Sequence, residues 1–169
     1  MNNIILDDME YIINSDIDFD KLKDKTILIT GATGMLASYL VMVLLYLNNN
    51  NYNIKILALS KNKKRFNELF SNFNNDNLIL LELDVTKIKE KDFDDYKIDY
   101  IIHTASPSKS YQFLSNPLNV IYCNIFATDK LLNIAKNNEI ESFLYFSSCS
   151  VYGNIENGYF REDIFGGID

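Results

Sequence analysis

The stretch Thr26-Ile-Leu-Ile-Thr-Gly-Ala-Thr-Gly-Met-Leu-Ala-Ser-Tyr-Leu40 restricts the possible folds of this chain more than any other. Its apolar, β-branched start, Thr26 to Thr30, reads as a buried strand, and it runs through Gly31 and Gly34 straight into a long apolar helical stretch. Glycine suits such a turn for two reasons. The turn is tight, and a Cβ would hold the backbone away from an approaching phosphate. The first helical turn then offers unpaired N–H groups and the positive end of the helix dipole. The expected ligand is a nucleotide diphosphate, contacted by Gly31, Thr33, Gly34, Met35 and Leu36. A glycine turn joining a core strand to a core helix has the same local pattern, so the choice between the two rests on the remaining segments.

Those segments alternate strand and helix. A short helix, roughly Leu6 to Asn14, and a linker precede the first strand; helix Gly34 to Leu47, strand Ile54 to Ser60 and helix Lys63 to Asn72 follow it. Then come strand Leu78 to Leu83, a connection through Lys97, strand Tyr100 to Thr104, helix Pro117 to Asn138 and strand Phe143 to Ser148. Strands separated by helices of this length imply right-handed crossovers and a parallel sheet covered on both faces. The expected fold class is α/β, a doubly wound parallel sheet. Ligands in such sheets bind beyond the carboxyl ends of the strands.

Composition narrows the function. A chain of 169 residues is the size of one domain, and its 47% hydrophobic content is that of a globular protein. A net charge of −7 argues against nucleic acid, whose phosphates demand clustered Lys and Arg. Cys123 and Cys149 are too few for a disulfide framework, which points to a reducing compartment and the cytoplasm. The start, Met1 to Asp20, is acidic without a basic residue, unlike the positive n-region of a secretory signal. The apolar run Met35 to Leu47 falls short of the roughly 20 residues needed to span a bilayer. No membrane association and no metal site are expected.

The spacing Gly31, Gly34, Ala37, with Thr30 before it, resembles the Thr-Gly-x-x-Gly-x-x-[Gly/Ala] turn of the short-chain dehydrogenase/reductase superfamily. Further segments agree in order. Asp84 followed by Val85 resembles the superfamily's Asp and small apolar residue that meet the adenine, although an acid at a strand end also caps a following helix. His103-Thr-Ala-Ser106 matches the family's His-x-Ala-[Ala/Ser/Gly], where Thr104, Ala105 and Ser106 would lie against the cofactor. His103 itself reads as a core residue, being a lone histidine inside an apolar strand. Asn124 sits in a segment that resembles Asn-x-x-[Gly/Ala]-Thr-x-x-Leu-Leu, whose Asn orders a kink and a water near the site. The most specific match is Phe146-Ser-Ser-Cys-Ser-Val-Tyr-Gly153, similar to the [Phe/Ile]-Ser-[Ser/Thr]-x-x-Val-Tyr-Gly signature of the extended branch, the nucleotide-sugar epimerases, dehydratases and decarboxylases.

The resemblance implies a Rossmann-like fold, a bound NAD or NADP, a nucleotide-sugar substrate, and oxidation at sugar C4. It places Ser148 at the catalytic hydroxyl that would bond the sugar O4, and Ser147 beside the cofactor. At the end of the second strand, NAD enzymes usually carry an acid for the ribose hydroxyls; here Ser60 and Lys61 stand there, followed by Lys63, Lys64 and Arg65. That pattern suits a 2′-phosphate or simply a solvated helix start, so the cofactor's 2′ group stays open. His-x-Ala-Ser-Pro and Asn116-Pro117 resemble the UDP-glucuronate decarboxylases, yet Cys149 and Ser150 stand where those enzymes and the 4,6-dehydratases carry carboxylates. A 4-epimerase needs no such base, so that branch is favoured.

The superfamily's general base is the Tyr of Tyr-x-x-x-Lys, whose Lys lowers the phenol pKa. Counted from Ser148 it falls beyond Asp169, and no tyrosine of this chain has a Lys four places on. The expected organisation is residues 1–25 as an N-terminal helix and linker, 26–153 as an NAD(P)-binding Rossmann domain, and 154–169 as a loop leading into a missing catalytic helix. The chain is expected to be the amino-terminal, dinucleotide-binding part of such an enzyme, incomplete for catalysis alone. The alternative is a non-catalytic binding or assembly module that keeps only the fold. A homodimer through the helix 117–138 is the expected assembly.

Overall fold

The structure, a computed structural model, describes residues 3–73, 76–154, 158–164 and 167. The order of elements is α1 (Asn3–Ile13), β1 (Thr26–Thr30), α2 (Met35–Asn48), β2 (Lys55–Leu59), α3 (Lys63–Phe70), β3 (Leu78–Leu81), β4 (Tyr100–His103), α4 (Ser110–Ser115), α5 (Pro117–Ile121), α6 (Ala127–Asn137) and β5 (Ser142–Tyr145). The five strands form one parallel sheet in the order β3-β2-β1-β4-β5. The chain winds outward from β1 in one direction, then restarts at β4 in the other. The reversal lies between β1 and β4, which is where a doubly wound sheet opens a crevice at its carboxyl edge.

Two cores hold the layers together. On one face Ile27, Ile29, Ile56 and Ala58 pack against Val41, Leu44 and Leu45 of α2, and Met9 of α1 closes the same cluster. The opposite face joins Leu28, Leu57, Leu59 and Ile101 to Leu131 and Ile134 of α6 and to Val85, Ile88 and Phe93. Strands buried on both sides need apolar residues at successive positions, which is why β1 and β2 are continuous runs and not alternating ones. The N-terminal segment is integral to this packing, since Ile5, Ile12, Ile13, Phe19 and Leu22 also lie against the first cluster.

Three features differ from the sequence reading. The helix expected over Pro117 to Asn138 is interrupted by a π turn, Tyr122–Phe126, between α5 and α6. There the Thr128 hydroxyl donates back to the Asn124 carbonyl at 2.8 Å, and the amide oxygen of Asn124 is buried without a hydrogen-bond partner among the described residues. An additional short helix, α4, follows Pro107. Finally, the sheet is not covered everywhere: Leu144 is 51% exposed, and a groove of about 350 Å³ runs between it, Ile102, Leu40 and Val43. No element among the described residues lies over that corner. The closing segment 154–169 lies partly outside the described residues, so its expected course as a loop is visible only in pieces. No described helix is long and apolar enough to cross a membrane.

Candidate functional site

At the carboxyl ends of β1, β2 and β4 the backbone does what the glycines require. Gly31 has φ +65°, and a Cβ built on it would meet Ala105 Cα at 2.9 Å and Thr104 Oγ1 at 3.0 Å. Both the conformation and the crowding exclude side chains there. Gly34 precedes the first turn of α2, which no side chain caps. The N–H groups of a helix's first turn lack intrahelical partners, so they are available to an anion. Ala37 is buried, and its small side chain lets α2 sit close on the sheet.

A cavity of about 370 Å³ opens in front of this turn. Its walls include Gly31, Thr33, Gly34, Ser60, Lys61, Asp84, Val85, Thr104, Ala105 and Ser106, ten positions singled out in the sequence and drawn from four strand ends. Volumes of several hundred Å³ are those of small-molecule sites. Among the other lining residues are Asn62, Lys109, Gln112, Asn119 and Cys123. Those residues come from α3's cap and from α4, α5 and the π turn, and nothing in the local pattern of Lys109 or Gln112 distinguishes them from ordinary helix surface.

The remaining sequence candidates are placed elsewhere. Met35 and Leu36 are exposed on the first turn of α2 and do not line the cavity. Ser147 and Ser148 follow the edge strand β5 and are also outside the lining. Ser147 takes a left-handed backbone, φ +47°, unusual for a residue with a Cβ. Ser148 is exposed and heads a short 3₁₀ turn, its Oγ accepting the Ser150 N–H at 3.2 Å. Asn124 lies in the π turn, next in sequence to the lining residue Cys123, and is not itself part of the lining.

Two polar arrangements brace the wall. The Asp84 carboxylate accepts from the Thr86 N–H at 3.0 Å and the Thr86 hydroxyl at 2.8 Å. Burial works against its charge, yet these bonds, with Lys61 and Lys87 nearby, hold its carboxyl below the ordinary carboxylate range. Asp84 thus caps its turn, as one reading of its position expects, and lines the cavity at the same time. The second arrangement runs through His103, which is 1% exposed. Thr30 Oγ1 accepts the N–H groups of Thr104 and Ala105, each at 3.2 Å, and lies 2.7 Å from His103 Nδ1. His103 Nε2 lies 3.1 Å from Thr128 Oγ1, whose own proton goes to Asn124. Only one neutral tautomer suits this chain: Nε2 carries the proton, and Nδ1 accepts from Thr30. His103 is a satisfied core residue that ties the strand-end backbone against Gly31 to the π turn.

Comparison with known proteins agrees with this geometry. The family described as NAD dependent epimerase/dehydratase matches residues 27–165. A dTDP-D-glucose 4,6-dehydratase of Dictyostelium discoideum is 31% identical over 144 residues, covering 80% of this chain and 31% of that protein. The structure of a UDP-N-acetylglucosamine 4-epimerase from Methanobrevibacter ruminantium M1 superposes with a TM-score of 0.70 at 29% identity, covering 84% of this chain and 44% of that one. A UDP-glucuronic acid 4-epimerase from Bacillus cereus, solved in complex with UDP-glucuronic acid and NAD, shares the fold at 24% identity and a TM-score of 0.68, covering 82% of this chain and 45% of that one. The chain spans less than half the length of each of these relatives. With a parallel Rossmann-like sheet, the glycine turn at its switch point and a family match over most of its residues, this chain belongs to the NAD dependent epimerase/dehydratase family.

Proposed function

We propose that this chain is the dinucleotide-binding portion of an NAD(P)-dependent nucleotide-sugar enzyme of the epimerase type. The observation that supports it most is the glycine cradle, where Gly31 leaves a space that any Cβ would fill, beside an uncapped helix start. Gly31, Thr33, Gly34 and the first turn of α2 would hold the pyrophosphate, while Asp84 and Val85 would face the adenine. Thr104, Ala105 and Ser106 would lie along the ribose and nicotinamide. When bound, a nicotinamide accepts a hydride from the sugar C4 and can return it. The chain's own parts in the reaction are Ser148, whose exposed hydroxyl would bond the sugar O4, and Asn124, a positioning residue at the π turn.

Cytoplasmic work fits the two free thiols, Cys123 and Cys149. The alternative reading is a binding or assembly module that keeps the dinucleotide fold without its chemistry. The test is titration of the chain with NADH and NADPH by calorimetry, repeated with Gly31→Val. Binding of at least one nucleotide is expected, weakened tenfold or more by Gly31→Val. No heat with either would remove the dinucleotide reading. Turnover of UDP-sugars by a chain that binds would remove the second reading.

A further inference from the structure

Lys130 lies outside the cavity lining, in the first turn of α6, and is half-buried. Its ammonium donates to the Thr86 main-chain carbonyl at 2.9 Å, across 44 residues of chain. Among the described residues no carboxylate forms an ion pair with it. A partly desolvated ammonium that meets only a neutral carbonyl gives up hydration without gaining a counter-charge. Stability alone is a poor reason for such a pairing, so what Thr86 belongs to matters.

Thr86 is the middle residue of a 3₁₀ turn, Val85–Lys87, that follows β3. Asp84 caps the amino end of that turn, accepting both the Thr86 N–H and the Thr86 hydroxyl. Lys130 takes the carbonyl of the same residue, a group that so short a turn leaves without a partner of its own. Thr86 is thus held through its N–H, its hydroxyl and its carbonyl, and the two residues before it, Asp84 and Val85, are part of the cavity wall. We propose that Lys130 is a positioning residue of this cavity: by holding the Thr86 carbonyl to α6 it fixes the Asp84–Val85 wall, and so sets how tightly the adenosine half of a dinucleotide is bound. The inference rests on the dinucleotide reading above and adds to it a residue outside the lining.

The hold is one of place and not of charge, since the cations that favour the ionised form of Asp84 are Lys61 and Lys87. Val85, 6% exposed, packs in one buried cluster with Ala127, Leu131 and Ile134 of α6. Apolar contact of this kind brings the turn onto the helix without direction, and the Lys130 bond fixes where along the helix it rests. Thr128, in the same helical turn, braces the end of β4 through His103. One turn of α6 therefore supports the cavity at two ends, the wall after β3 through Lys130 and the wall after β4 through Thr128.

Calorimetric titration of the chain with NADH and with ADP, which carries only the adenosine half, tests this alongside amide hydrogen exchange. Lys130→Met keeps an apolar stem and removes the donor. It is expected to lower the affinity for both ligands about fivefold, as the loss of one hydrogen bond does. Exchange should quicken at Thr86 and Lys87, while the amides of Gly34 to Ala37 keep their rates. Lys130→Arg, which retains a donor, is expected to recover most of the lost affinity. Unchanged affinity in Lys130→Met overturns the inference, as does a loss that Lys130→Arg leaves uncorrected. Faster exchange throughout the domain also overturns it, because Lys130 would then be an ordinary stabilising residue. Each of these results leaves the dinucleotide reading standing, whereas an unaltered chain that binds neither NADH nor ADP overturns both.

Discussion

His103 shows how one residue's protonation follows from its surroundings. Burial, opposed weakly by a hydrogen bond to the Cys123 backbone, lowers its pKa to about 4. In the unfolded chain the ring titrates near 6.5, so above that pH neither state holds the proton and the neutral ring costs nothing. Below about 6.5 the unfolded chain takes up a proton that the fold refuses until about pH 4. Stability is therefore complete above the unfolded pKa and is lost as pH falls, by about 2 kcal/mol between pH 7 and 5, a window in which ordinary carboxylates stay charged. Urea unfolding at the two pH values measures this, and a flat profile would sink it. Since His103 is the chain's sole histidine, His103→Phe is expected to be less stable at pH 7 but to lose this dependence. The sequence placed His103 in the core correctly, from its apolar strand. Its partners Thr30 and Thr128 come from β1 and α6 and are visible only after folding.

At the scale of elements, α3 and the π turn carry opposite lessons. Helix α3 begins where its local signals say it should, with Asn62 at the cap and Arg65 as the N–H it satisfies. Losing such a cap costs about 1 kcal/mol. Asn62→Ala is expected to lower stability by that amount in chemical denaturation, and an unchanged midpoint would show that the Asn62 bond contributes nothing. The π turn had one signal, the kink that the resemblance implies at Asn124, but not its form. Residues Tyr122–Phe126 continue a helical pattern, and only Asn124 is out of place in it. Single-turn π bulges of this kind gather at functional sites. What widens the helix is tertiary: Thr128 serves both the Asn124 carbonyl and the His103 ring, on a strand 25 residues earlier in the chain.

For the molecule as a whole, the surface carries two apolar areas that a water-facing domain would not choose. One is the groove beside Leu144. The other is the exposed row Leu118, Ile121, Tyr122, Ile125 and Phe126 along α5 and the π turn. Contiguous apolar surface of this sort marks an interface. We expect the purified chain to self-associate through the second area, as the homodimer reading proposes. Light scattering after size exclusion should show a mass that rises with concentration, and Ile125→Lys should lower it towards that of a monomer. A monomer at every concentration would remove the proposal.

Local chemistry was enough to determine the order of strands and helices, the glycine turn and the strand ends that meet at the cavity. Each depends on neighbours in sequence: a β-branched run, a glycine spacing, a small residue after a strand. Ten of the candidate positions converge on that cavity for this reason, since all the parallel strands end on the same edge of the sheet. Tertiary structure alone decided the rest. Strand lengths were shorter than read at β3 and β5, because a strand ends where its hydrogen-bonded neighbour ends, and the final ladder bond of β5 is the Phe146 N–H to the His103 carbonyl. The same dependence on distant partners set the tautomer of His103, the turn at Asn124, the lining supplied by α4 and the bare corner at Leu144. None of these is a property of a short segment, and each appears only when segments far apart in the chain are brought together.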